Sequence, residues 1–399
     1  MEKPLTRPAD HYVPLYFLVS LGCGGLALSF FMWLMHWTPH PGRPVPVFED
    51  ILRAFSNNGA LMRGMILLAV VGILYYSFLN AKYLLWNLSQ FRRWRQSAAF
   101  AELRRGNSEV QLLAMPLALA MSVNVLFVLG MVFVPGLWGI VDYLFPLAVL
   151  VFLAIGVLAL RQLGSFLGRI LIDGGFLCAA NNSFAQALPA FAFAMVGVGL
   201  AAPAGLSSAP LIAGLGLVLS TFFLVAALLI SLIALILGFR ALLEQGANIE
   251  TAPTLSIFIP VLTILAILDL RQSHGLNEHF AVLSSAADRL MLLSQYLSAQ
   301  ILFALFSGLI LMRLGYVGRF ITGRESSVSS YALVCTGVAL VVMLHFWLNR
   351  GLVDAGLVSK FSGGYWLVSA VALLLQLATM WLVGRLNGKH FKPENNLPR

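Results

Sequence analysis

The residues best placed to do chemistry in this chain are uncharged. Ser20, Ser122, Asn124, Thr263 and Thr336 can each offer a hydroxyl or amide to an ion, and Gly24, Met115, Phe191, Phe193 and Phe258 can set the width of a path. They lie near an early proline or glycine in five apolar stretches: Pro14, Pro116, Pro189, Pro260 and, where a fifth proline would fall, Gly337. Such groups coordinate and exclude; a hydroxyl among them becomes a nucleophile only beside an activating base. The chain has no nucleophile elbow, phosphate loop, HExxH or CxxC motif, so an enzyme is not expected.

The stretches that carry these residues can be laid over one another. They read HYVPLYFLVSLGCGGLAL from His11, SEVQLLAMPLALAMSVNV from Ser108, NSFAQALPAFAFAMVGVG from Asn182, TLSIFIPVLTILAILDL from Thr254 and SSYALVCTGVALVVMLH from Ser329. Each is followed by a second apolar helix without the break, so the unit is a helical hairpin repeated five times in one orientation. Five like hairpins suggest a ring whose broken helices face an axis. A helix broken inside a membrane frees backbone groups, tolerated only against protein or a watery cavity. The half-helix N termini beyond each break are expected to turn positive dipole ends toward the centre, which favours anions. Phe191 and Phe193, two apart on a helix, face about 160–200° away from each other, so at most one points down the axis.

With 60% hydrophobic and 10% charged residues and a mean hydropathy of +0.89, the chain belongs in a bilayer. Apolar runs long enough to cross it are expected at 12–37, 61–88, 110–134, 140–165, 184–203, 209–238, 254–272, 287–312, 328–349 and 363–385. The fold class is therefore all-α integral membrane, a single transmembrane domain over 1–399: a tail over 1–11, a ten-helix bundle over 12–385 and a second tail over 386–399. With both termini on one side, only seven of the 25 Lys and Arg residues, Arg43, Arg53, Arg63, Arg271, Arg289, Arg350 and Lys360, fall on the opposite side. The positive-inside rule then puts both termini in the cytoplasm, in the inner (plasma) membrane. The net charge of +9 needs no nucleic acid to explain it.

The connection from Thr38 to Ala60 opens with Pro39, Pro41, Pro44 and Pro46, which rule out helix, and continues as the amphipathic FEDILRAF. The connection from Phe91 to Glu109 mixes aromatics with arginines and reads as an interfacial helix on anionic lipid. VPGLW at 134–138 and APAGLSSAP at 202–210 are tight uncharged links. The glycines Gly22, Gly24, Gly25, Gly197, Gly199, Gly214 and Gly216 read first as close helix approach and second as pore width. No charge falls in the central third of any span, which favours a channel or uniporter over an ion-coupled pump. Cys23, Cys178 and Cys335 form no metal or disulfide spacing. Of the seven histidines only His36 and His345 approach the interior of a span, too few to argue for haem, so no cofactor or metal is expected.

HYVPLYFLVSLGCGGLALSFFMWLM, AMPLALAMSVN, FAFAMVGVGLAAPAG and TAPTLSIFIPVLTILAI resemble a TsoY-like bacterial branch related to the tellurite-resistance/dicarboxylate transporter family. That family includes bacterial TehA and the plant slow-type anion channels. The resemblance implies a homotrimer, each protomer conducting a small anion through a pore lined by its odd-numbered helices and closed by a phenylalanine. The ninth span departs from the family: YALVCTG puts Thr336 before Gly337, with Tyr331 the only aromatic nearby. Phe191, Phe193 and Phe258 are then the candidate gates. The alternatives from the residues are a membrane anchor or redox subunit, and a sensor or scaffold with a sealed core.

Overall fold

The computed structural model describes residues 11–178, 181–282 and 284–392, so the expected tail residues 1–10 and 393–399 lie outside the described residues. Among the described residues ten helices are long and apolar enough to cross a membrane: α1 Pro14–Trp37, α2 Ala60–Trp94, α3 Asn107–Phe133, α4 Leu137–Asp173, α5 Ala185–Leu206, α6 Pro210–Gln245, α7 Ala252–Phe280, α8 Ala286–Arg313, α9 Val328–Val353 and α10 Gly363–Phe391. There is no β-strand among the described residues. This is a multi-pass membrane protein.

Several helices outrun their apolar cores. At 37 residues α4 is ~55 Å long at 1.5 Å per residue, against a hydrocarbon thickness of about 30 Å. Hydropathy marks only the part immersed in lipid. The helical backbone continues into polar sequence, as α2 does through Arg92 and Arg93 and α7 through His279. For the same reason 386–391 is the last part of α10, not a tail. FEDILRAF falls in a short helix, Phe48–Asn57, whose Val47 N–H donates to Asp50 Oδ2 at 3.3 Å. The interfacial segment is divided between the end of α2 and a short exposed helix, Ala98–Leu103.

Odd and even helices differ sharply in environment. The apolar stretch of each odd helix is 56–94% buried, against 22–39% for each even helix. The odd helices touch in cyclic order, α1 on α3, α3 on α5, α5 on α7, α7 on α9 and α9 back on α1. Each even helix lies against its predecessor and its successor, with α10 reaching from α9 to α1. An apolar even helix can leave its outer face to lipid; an odd helix has protein around most of its surface, almost all of it in α1 and α5.

The prolines sit where a helix tolerates them. Each odd helix opens with a 3₁₀ segment, at Pro14–Tyr16, Asn107–Leu113, Ala185–Ala187, Ala252–Ser256 and Val328–Ser330, then passes into α-helix. Pro14 starts the 3₁₀ turn of α1, and Pro116, Pro189 and Pro260 fall in the first turn of the α-helical parts of α3, α5 and α7. There the missing N–H breaks no intrahelical bond. Gly337 lies inside an uninterrupted α-helix, Tyr331–Phe346. The expectation of half-helices beginning partway along the odd spans is therefore corrected: each odd helix starts at the end of the bundle that carries Phe391, and its N terminus stays there. The true interruptions lie at the far end, at Ala201 and Pro203 of α5 and in the π-helical Trp347–Val353 of α9.

Glycines set the closest approaches. A Cβ on Gly22 or Gly25 would stand 2.7 or 2.8 Å from Cγ1 of Val334 or Val338, so these two glycines form the α1–α9 seam. On Gly216 it would meet the Leu200 carbonyl oxygen at 2.8 Å, a backbone atom that cannot turn aside. Gly164 has open space around its Cα. Gly216→Ala is expected to destabilise the protein by about 1–3 kcal/mol, whereas Gly164→Ala leaves it unchanged or stabilises it; thermal melts of the two purified variants distinguish the outcomes.

Candidate functional site

Among the described residues, cavities at both ends of the bundle draw on the odd helices. At the end carrying Pro14 and Phe391, a cavity of about 50 Å³ is bordered by Leu15 and Leu18 of α1, Gln111 of α3, Leu188 and Phe191 of α5, Thr254 and Pro260 of α7, and Ser329 and Cys335 of α9. At the far end, a cavity of about 1140 Å³ is bordered by Leu28 and Met32 of α1, Asn124 and Phe127 of α3, Ala202 of α5, Ile267 and Arg271 of α7, and Val342 and Arg350 of α9. All five odd helices contribute to both.

On α9 one helical stripe visits both cavities: Ser329, Ala332 and Cys335 at the near end, then Val342, Phe346 and Arg350 at the far end. On α7 the stripe runs Ile257, Pro260, then Ile267, Arg271, His274 and Glu278. Steps of three and four keep one face of a helix. The positions skipped on those stripes, Ala339 of α9 and Ile264 of α7, are buried, as is Met195 of α5, between Phe191 and Ala202. Met195 Sδ lies 3.7 Å from Asn124 Nδ2 on α3. These side chains share the level between the cavities.

Of the residues expected to line a path, Phe191 and Pro260 border the near cavity and Asn124 the far one. The rest are used elsewhere. Phe193 turns outward, its ring centroid 5.8 Å from that of Phe223 on α6. Phe258 packs 5.1 Å from Phe184 and 5.0 Å from Phe303 of α8. Ser20 Oγ donates to the Asn80 carbonyl at 3.0 Å, and Asn80 Nδ2 returns a bond to the Ser20 carbonyl at 2.8 Å, clamping α1 to α2. Thr263 Oγ1 donates to Ala339 O at 3.1 Å and accepts from Gln300 Nε2 at 2.5 Å, joining α7, α9 and α8. Thr336 Oγ1 lies 2.6 Å from Ser256 Oγ.

Ser122 folds its hydroxyl back onto Ala118 O at 2.9 Å. Gly24 abuts Met121 and Asn80, and Gly337 abuts Thr379 of α10. Met115, Pro14, Pro116 and Pro189 border neither cavity. In apolar surroundings a hydroxyl or amide finds its partner on a neighbouring helix, so most of the neutral hydrogen-bonders hold helices together and do not face the cavities.

The far cavity carries charge that residue type alone did not single out. Arg43, Arg271, Arg289 and Arg350 border it, with His274, His279 and a single carboxylate, Glu278, among the described residues. Arg43 pairs with Asp50 at 2.8 Å; Arg289 and Arg350 share Asp354 at 3.4 and 3.8 Å. Arg271 Nη1 donates to the Val198 carbonyl of α5 at 2.6 Å, next to the break at Ala201. The signal was present: Arg271, His274 and Glu278 continue the spacing of Ile267, but beyond or at the edge of the apolar run.

His36 and His345 come together, ring centroids 6.0 Å apart and nearly parallel, with Nε2 of each buried and unpartnered. No group of three or more His, Cys, Asp or Glu residues among the described residues could hold a metal ion. No protein-family model matches this chain, and no curated protein matches it; the resemblance to the tellurite-resistance/dicarboxylate transporter family rests on the segments quoted above.

In a background lacking Cys23, Cys178 and Cys335, Thr251→Cys and Asn277→Cys are expected to react with a membrane-impermeant thiol reagent from opposite sides of the membrane, Thr251→Cys from the side of the termini. Labelling of both positions from one side would contradict the assignment of the two cavities to opposite faces.

Proposed function

We propose that this protein is a channel or transporter that moves small anions along an axis between α1, α3, α5, α7 and α9. The observation that carries the reading is that two cavities, one at each end, draw on all five odd helices. Repeated helical hairpins around a central pore are the architecture that fits the cyclic contacts and the burial of the odd helices. Phe191 is the gate of choice among the three phenylalanines considered, because it borders the near cavity while Phe193 and Phe258 pack on outer helices. Met195, one turn beyond it, completes the closure. The odd helices all begin at the near end, so their positive dipole ends surround that mouth and favour an anion there.

The termini lie in the cytoplasm of an inner (plasma) membrane in this reading, and the near cavity is the cytoplasmic mouth. Assembly as a homotrimer is proposed from the resemblance. A second reading, a sensor or scaffold with a sealed core, is favoured by one observation: the level between the cavities is filled with buried side chains.

Flux of chloride and nitrate into liposomes separates the two. Phe191→Ala combined with Met195→Ala is expected to raise anion flux by at least about tenfold, a barrier change of ~1.4 kcal/mol. Phe193→Ala is expected to leave flux near wild type while costing about 3–5 kcal/mol of stability. Absence of anion flux in the wild type and in the folded double variant, at every voltage tested, would leave the sealed scaffold.

A further inference from the structure

We propose that the far cavity is a binding site for an organic anion: a carboxylate or sulfonate head on an apolar body, held by Arg271. The inference goes beyond conduction of small ions, and binding is measurable whether or not the axis ever opens.

Three observations point to it. The first is size. At about 1140 Å³ the cavity matches or exceeds the roughly 300–1,000 Å³ of sites that enclose drug-sized molecules, and a halide would occupy a small corner of it. The second is the wall. Phe31, Met32, Phe127, Met131, Phe152 and Phe346 face the cavity, and apolar surface of this kind rewards a ligand that covers it.

The third is an unequal pairing of the cations. Arg43, Arg289 and Arg350 each have a carboxylate within 4 Å, Asp50 for the first and Asp354 for the other two. Arg271 has none among the described residues; its one protein bond is from Nη1 to the Val198 carbonyl. The remaining guanidinium donors have no protein acceptor among the described residues. A charge set in an apolar wall calls for a counter-charge, and the planar fork fits a carboxylate or sulfonate with two parallel hydrogen bonds. His274, three residues on, borders the same cavity and lies on the same helix face. The ligand therefore lays its head on α7 and its body along α1, α3 and α9.

Two sources share this chemistry: water-soluble aromatic or aliphatic acids, and fatty acids released from the bilayer. The test is calorimetric titration of the purified full chain with 2-naphthoate and with its uncharged counterpart 2-naphthol. The expected result is that naphthoate binds at least about tenfold more tightly than naphthol, and that Arg271→Gln removes this preference while Arg271→Lys keeps part of it. Because Arg271 also ties α7 to α5, Met32→Trp serves as a second variant: it fills the apolar wall, leaves the charge, and is expected to weaken both ligands.

Equal affinity of the wild type for naphthoate and naphthol would overturn the proposal, as would an unchanged preference in an Arg271→Gln protein that melts like wild type. Unaltered binding to Met32→Trp, or displacement of naphthoate by an equal concentration of chloride, would overturn it too. Displacement by palmitate supports the site with a membrane-derived ligand. Failure of palmitate to displace naphthoate supports it with a water-soluble one.

Discussion

The contact on which the architecture depends is the return of α9 onto α1. Helices in a bilayer gain little from burying apolar surface, since lipid is as apolar as leucine; they associate through close packing and hydrogen bonds. Gly22 and Gly25 let α1 approach Val334 and Val338 of α9 so closely that a methyl group would not fit without displacement. This seam joins the first and last odd helices, more than 300 residues apart in sequence, as Gly22 and Val334 show, and makes the contact order cyclic. With α9 on α1, the odd helices have neighbours on both flanks, and the even helices fill the grooves outside.

Polar side chains reinforce this arrangement from within. Ser20 and Asn80 tie α1 to α2, Trp33 Nε1 donates to Gln376 of α10 at 2.7 Å, and Gln300 ties α8 to the Ile259 carbonyl and the Thr263 hydroxyl of α7. Each bond joins an odd helix to an even one. At the end of the termini, Lys389 of α10 donates to the carbonyls of Phe320, Gly323 and Glu325, fixing the α8–α9 connection against α10. At the far end Asp142 of α4 accepts from Ser207 and Ser208 and fixes the α5–α6 link. The spans are thus pinned at both ends, and the two cavities lie between elements whose positions are set by packing.

The two cavities are chemically unlike. The near one is small and bordered by hydroxyls, an amide and apolar side chains; the far one is large, mostly apolar and cationic. The difference follows from helix geometry. At the near end the odd helices begin in compact 3₁₀ turns and crowd together, whereas at the far end α5 breaks at Ala201 and Pro203 and α9 loosens into π-helix. Those interruptions lie at the end of the bundle where Arg271 and Arg350 stand.

The sequence by itself determined the membrane class, the number of spans and their approximate places, because each depends only on the length and apolarity of a local run. The alternation of buried and lipid-facing helices was also foreshadowed by the five aligned stretches, all of which became odd helices. What only the tertiary structure decided is which face of each helix looks inward. Ser20, Thr263, Thr336, Gly24 and Gly337 have the composition of path-lining residues but turn to neighbouring helices, and Phe193 turns to Phe223 while Phe191 does not. A rotation of about 100° per residue separates a cavity wall from a helix seam. That rotation is set by partners far away in the chain, which no local pattern of prolines and small residues encodes.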